Sequence, residues 1–67
     1  MEDSLRLKFL KQYFEHNRVM PSYREMGQMF GVKSVNSVYK FVNRMERDGF
    51  LKRVGKRLAP TDDFLTL

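Results

Sequence analysis

The chain contains no cysteine. That absence removes disulfide staples, thiolate metal sites and thiol redox chemistry, and it suits a reducing compartment. No apolar run approaches the roughly 20 residues of a membrane span, and no signal-peptide pattern opens the chain. The expectation is a soluble, cytoplasmic, bacterial-type protein with no membrane partner. Histidine occurs once, as His16, without a spaced ligand or carboxylate partner in the sequence. No nucleophile-base pair, Gly-rich phosphate loop or metal-ligand spacing is found either. The sequence therefore leads us to expect neither an enzyme, nor a cofactor, nor a bound metal. At 67 residues the chain forms one small domain, of a size that buries only about 60% of its unfolded surface. Without disulfides, packing must carry the fold.

Charge is abundant and unevenly placed. The net charge is +5, and residues 33 to 57 hold eight Lys/Arg against two Asp/Glu, whereas residues 58 to 67 hold no basic residue and two acidic ones. The excess positive charge lies where a phosphate backbone or an acidic protein would meet it.

The segment Pro21 to Gly49 reads as two helices joined by a tight turn. Ser22 and Glu25 have capping-box spacing, and Tyr23 opens a helix that turns Met26, Met29 and Phe30 inward. Gly27 costs that helix about 1 kcal/mol relative to Ala, which predicts close approach of another backbone there. Gly31 supplies the left-handed residue that ends it. Ser34 caps the next helix, leaving Gly31, Val32 and Lys33 as the turn, the length of a helix-turn-helix. Advancing about 100° per residue from Val35, Val35, Val38, Val42 and Met45 share an apolar sector. Asn36, Lys40, Asn43, Arg44 and Arg47 cluster opposite, and Phe41 falls between the faces as peripheral core.

Ahead of this pair, Asp3 or Ser4 can cap a first helix running to about Asn17. Its stripe is Leu7, Leu10, Tyr13 and Phe14, widened by Leu5 and Phe9. After Gly49, strands near Phe50 to Val54 and Arg57 to Ala59 flank Gly55-Lys56, a two-residue hairpin turn with Gly first. The fold class expected is mostly α with a small β-hairpin, a three-helix winged helix-turn-helix over residues 1–60. Residues 61–67 show no pattern of their own and read as a tail or the start of a linker.

With these elements in place, PSYREMGQMFGVKSVNSVYKFVNRMERDGFL resembles the N-terminal DNA-binding domain of LexA-like repressors. The shared features are Pro before a capping Ser, Arg24-Glu25 followed by the hydrophobic Met26, a small residue at Gly27, Gly31 in the turn, Ser-x-Asn opening the recognition helix and Gly49 closing it. The resemblance covers residues 4 to 60. It implies sequence-specific binding of double-stranded DNA by a transcriptional repressor of the SOS type, with the recognition helix, residues 34–48, in the major groove. It also implies paired half-sites, dimerisation through a further domain, and release through RecA-stimulated self-cleavage in a peptidase domain outside this chain. The positions matching the family's base-reading residues are Ser34, Asn36, Ser37, Tyr39 and Lys40. Tyr39 and Lys40 stand where LexA itself carries acidic residues, so the resemblance does not carry an operator sequence over to this chain. The wing turn is also shorter.

Each of these residues has a plainer role beside the DNA-reading one. Asn36 either pairs with adenine, as amide geometry favours, or serves the helix N-terminus. Ser34 is a cap or a phosphate contact, and Tyr39 meets DNA or packs on the wing. Lys33, Asn43, Arg44, Arg47, Lys52, Arg53, Lys56 and Arg57 contact the DNA backbone or form a solvated face. The internal methionines, Met20, Met26, Met29 and Met45, are core or near-core fillers. All the apolar stripes are needed inward, which predicts a mostly monomeric chain in isolation. The alternative function is a winged-helix interaction module that binds an acidic protein partner. RNA binding is disfavoured because no aromatic stacking platform is exposed in the pattern.

Overall fold

The computed structural model describes residues 2–67. Three helices, α1 (Asp3–Asn17), α2 (Tyr23–Phe30) and α3 (Val35–Arg47), precede an antiparallel hairpin of β1 (Leu51–Val54) and β2 (Arg57–Pro60) and a short helix α4 (Asp62–Leu65). The expected three-helix winged helix-turn-helix is present, with one further helical turn at its end.

The α2–turn–α3 unit forms as its residues dictate. The Ser22 hydroxyl accepts from the Glu25 N–H at 3.1 Å, and the Glu25 carboxylate accepts from the Ser22 N–H at 2.9 Å, so both halves of the capping box are made. This pairing holds the Glu25 carboxyl below its ordinary range, chiefly through the Ser22 bonds, with the Tyr13 hydroxyl adding a third. Gly31 adopts φ 69°, and the Val32 N–H donates back to the Gly27 carbonyl at 3.0 Å, closing the helix with a left-handed residue. Gly49, at φ 87°, does the same for α3, with Phe50 N–H donating to the Met45 carbonyl.

Gly27 behaves differently from expectation. A methyl group there would meet the Val32 carbonyl oxygen at 3.6 Å and Val38 Cγ2 at 3.8 Å, which is ordinary contact. A backbone is indeed the nearest neighbour, but no crowding forbids a side chain.

The core joins α1 to α3 and reaches the hairpin. Leu10, Met26, Val38, Phe41, Val42 and Phe64 are almost wholly buried. Two assignments on α3 change. Phe41 is completely buried, with its ring edge-on to Phe30 at 5.3 Å, whereas Val35 is 50% exposed. The first helix packs on the Phe41 side and rotates the apolar sector towards it, which leaves the first residue of α3 beyond the core.

The α1 entry is also rearranged. The capping position belongs to Glu2, whose side chain makes no cap bond, and the Asp3 carboxylate is instead bound by Arg44. Leu5 is exposed and adds nothing to the stripe. At the other end Arg18, the one non-glycine residue with positive φ among those described, turns the chain at φ 61°.

The hairpin has the register Val54↔Arg57, Arg53↔Leu58, Lys52↔Ala59 and Leu51↔Pro60. Gly55 has φ 64° and Lys56 does not share the positive sign, the signature of a turn with Gly first. Strand β2 runs one residue past Ala59, because Pro60 lies on an edge where a missing N–H costs no ladder bond.

Beyond Pro60 the chain folds back into the domain. The Thr61 hydroxyl donates to the Gly49 carbonyl and accepts from Phe64 N–H, and the Phe64 ring is fully buried, edge-on to Phe14 at 6.1 Å. Lys11 Nζ donates to the carbonyls of Phe64, Leu65 and Leu67 at 3.3, 2.8 and 3.1 Å. Residues 61–67 are therefore packed structure, where the sequence pattern reads as a tail. Seven residues are too few for a periodic signal, and one aromatic suffices to anchor them.

Candidate nucleic-acid interface

Helix α3 presents an inner strip, an outer strip and two flanks between them. Its inner strip, centred on Val38, Val42, Met45 and Phe41, is buried. The outer strip carries Asn36, Lys40, Asn43 and Arg47, all exposed, within about 60° of one another at 100° per residue. Ser34 caps this helix, its hydroxyl accepting from the Asn36 N–H at 3.2 Å, so the capping role open to Asn36 is already filled. Its side-chain amide makes no hydrogen bond among the described residues. The same holds for the Asn43 amide and the Lys40 ammonium. Among the described residues Arg47 pairs with its neighbour Asp48 alone, at 3.2 Å, and its side chain remains 72% exposed.

The two flanks of α3 are tied down. On the side facing α1, Arg44 donates to Asp3 through Nε at 2.7 Å and Nη2 at 2.9 Å. This fork holds the Asp3 carboxyl below, and the Arg44 guanidinium above, its ordinary range. Ser37 lies on the same flank, half-buried. On the side facing the hairpin, Arg53 Nε donates to Glu46 at 2.8 Å, which raises the arginine's pKa and links β1 to α3. Tyr39 lies against Tyr23 of α2, with ring centroids 4.5 Å apart and planes at 66°, rather than free on the polar face.

In the hairpin Lys52, Lys56 and Arg57 are exposed and make no ion pair among the described residues. Lys33 stands exposed in the turn between α2 and α3. The structure thus brings Asn36, Lys40, Asn43 and Arg47 onto one strip, with Lys33 and Ser34 at the head of the helix in a cleft against α2 and the hairpin cations beyond the Glu46 flank. Ser37, Tyr39, Arg44 and Arg53 lie at the flanks. Arg24 was not singled out from the sequence. It is exposed on α2 and lines the shallow cleft that also holds Lys33 and Ser34, and a first helix crossing the DNA backbone would have pointed to it.

A capped helix with an unpaired polar face, a second helix braced across it and a basic two-stranded ribbon alongside define a winged helix-turn-helix of the DNA-binding class. Residues 5–58 match the family described as the LexA DNA binding domain. The chain belongs to that family. It is 33% identical over 59 residues to the LexA repressor of Syntrophobacter fumaroxidans, a match covering 88% of this chain and 29% of the repressor. Similarity to the LexA repressor of Syntrophomonas wolfei is 35% over 60 residues, covering 85% and 29%. For that of Anaeromyxobacter it is 36% over 58 residues, covering 82% and 25%. The chain thus spans less than a third of the length of these relatives. No solved structure matches it. No helix among the described residues is long and apolar enough to cross a membrane.

Proposed function

We infer that this chain is the sequence-specific, double-stranded DNA-binding domain of a transcriptional repressor, acting by occupying an operator in the cytoplasm. The observation that carries the reading is the outer strip of α3, where an asparagine amide and a lysine have no hydrogen-bond partner among the described residues, on a helix already capped by another residue. A major groove admits such a helix. Asn36 and Lys40 sit at its centre as base readers, and Ser34, Ser37 and Tyr39 meet the groove edges. Arg47, Asn43, Lys33 and the hairpin cations hold phosphates. The relatives are more than three times as long as the matched segment, which supports dimerisation elsewhere in a longer protein and paired half-sites on the DNA.

The test begins with selection from random duplexes, followed by Asn36→Ala measured on the selected site and on a random duplex. A bidentate contact to adenine is worth about 1 to 3 kcal/mol. The substitution should weaken the selected site by that amount and leave the random duplex almost unchanged. Equal weakening of both would remove Asn36 from the reading role, and selection without enrichment would remove sequence specificity altogether.

A further inference from the structure

Asp3 lies outside the helix-turn-helix, in the first turn of α1, and yet grips an arginine of the recognition helix. Arg44 approaches it fork to fork, with donor distances of 2.7 and 2.9 Å. Carboxylates and phosphates present the same paired oxygens to a guanidinium, so Asp3 offers Arg44 what a DNA backbone would. The pair is open to the surface, with side chains 37% and 35% exposed, and solvent-exposed pairs add little to stability. Its main consequence is therefore which charges the protein presents.

Asp3 also has a second cation. Arg6 Nη1 stands 3.9 Å from its carboxylate, and the Arg6 guanidinium lies over the rings of Phe30 and Phe41 at 5.4 and 5.7 Å. The carboxylate is thus fixed from below by a cation that is itself anchored in the aromatic core.

Resting on the DNA-binding reading above, we propose that Asp3 is an intramolecular rival of the DNA phosphates for Arg44. By occupying Arg44 it sets the number of backbone contacts, and with it the affinity for duplex and the steepness of its salt dependence. Of the basic residues on α3, Lys40 and Arg47 are left available to DNA while Arg44 is withheld.

The experiment measures binding to a random-sequence duplex between about 50 and 200 mM salt for the wild-type chain, Asp3→Asn, Arg44→Gln and the double variant. Each phosphate neutralised adds about 0.9 to the salt slope, or about three- to fourfold in affinity across that range. Arg44→Gln should keep the wild-type slope, Asp3→Asn should steepen it by about 0.9, and the double variant should return it to wild type. Asp62→Asn removes one negative charge from exposed α4 and should change the slope by much less. Circular dichroism checks that each variant is folded, and Asp3→Ser replaces Asp3→Asn if that one is not. A shallower slope in Arg44→Gln alone, an unchanged slope in the folded Asp3 variant, or a gain that survives in the double variant would each overturn the proposal. No salt-dependent duplex binding by the wild-type chain would instead sink the DNA-binding reading itself.

Discussion

The outer strip of α3 and its two flanks are built from the same kinds of residue but stand in opposite states. Lys40 and Asn43 on the strip have no hydrogen-bond or ion-pair partner among the described residues, whereas Arg44 and Glu46, each within one turn of them, are bound to Asp3 and Arg53. A count of cations along the sequence treats Arg44, Lys40 and Arg47 alike. The difference is imposed by neighbours on α1 and β1, and it means that a basic surface is set as much by internal carboxylates as by its lysines and arginines. The flank bonds also have a mechanical side: one ties α1 to the recognition helix, and the other ties the wing to it.

The inner strip gives the largest test of this division of faces. Phe41 is completely buried against Phe30 and beneath Arg6, so Phe41→Ala should destabilise the fold by about 3 to 5 kcal/mol. Val35, half-exposed at the start of the same helix, should lose less than about 1 kcal/mol on conversion to Ala, in line with surface substitutions. Chemical denaturation of the two variants measures the contrast. Similar losses at both positions would mean that the apolar sector extends to Val35, as helical spacing alone places it, and that the strips are rotated towards that residue.

Local rules made the helix-turn-helix readable. A capping box, a left-handed glycine and a Ser cap are each decided by residues within four positions of one another, and all three formed where the sequence puts them. The hairpin turn was readable for the same reason. What escaped depends on distant partners. The carboxylate of Asp3 is drawn to a residue 41 positions away, and Phe41 is core only because α1 lies on its side of α3. Phe64 is buried in the shared core, where Phe14 and Lys11 from distant α1 meet it. The base-reading candidates divide in the same way. Ser34, Asn36 and Lys40 follow from helical phase, whereas the placement of Tyr39 against Tyr23 and of Ser37 on the α1 flank needs the tertiary arrangement.

The wing offers a parallel to α3 on a smaller scale of effect. Lys52, Lys56 and Arg57 are unpaired among the described residues, while Arg53 is held by Glu46 at 2.8 Å. Neutralising each free cation in turn to Gln should lower the salt slope of duplex binding by about 0.9 for each one that meets a phosphate, and weaken all sequences alike. Arg53→Gln should leave the slope near that of wild type. A loss for Arg53 equal to that for the others would show that Glu46 releases it on binding, and three substitutions without effect would take the wing off the DNA.

The smallest effect expected is a gain. Gly27 occupies the middle of α2, where glycine costs about 1 kcal/mol relative to alanine because its backbone is freer in the unfolded chain. Its φ is not positive, so alanine fits the backbone without strain. The added methyl would meet the Val32 carbonyl at 3.6 Å and Val38 on the inner strip of α3 at 3.8 Å, both ordinary contact distances. Gly27→Ala should therefore stabilise the domain by about 0.5 to 1 kcal/mol. Because the methyl points towards the inner strip, the salt slope and the affinity for duplex should stay as they are. Denaturant unfolding with a duplex titration on the same variant checks both. A destabilised protein would show that α2 and α3 lie closer than these distances, and stability gained with DNA binding lost would show that the inner strip's packing sets the pose of the outer one.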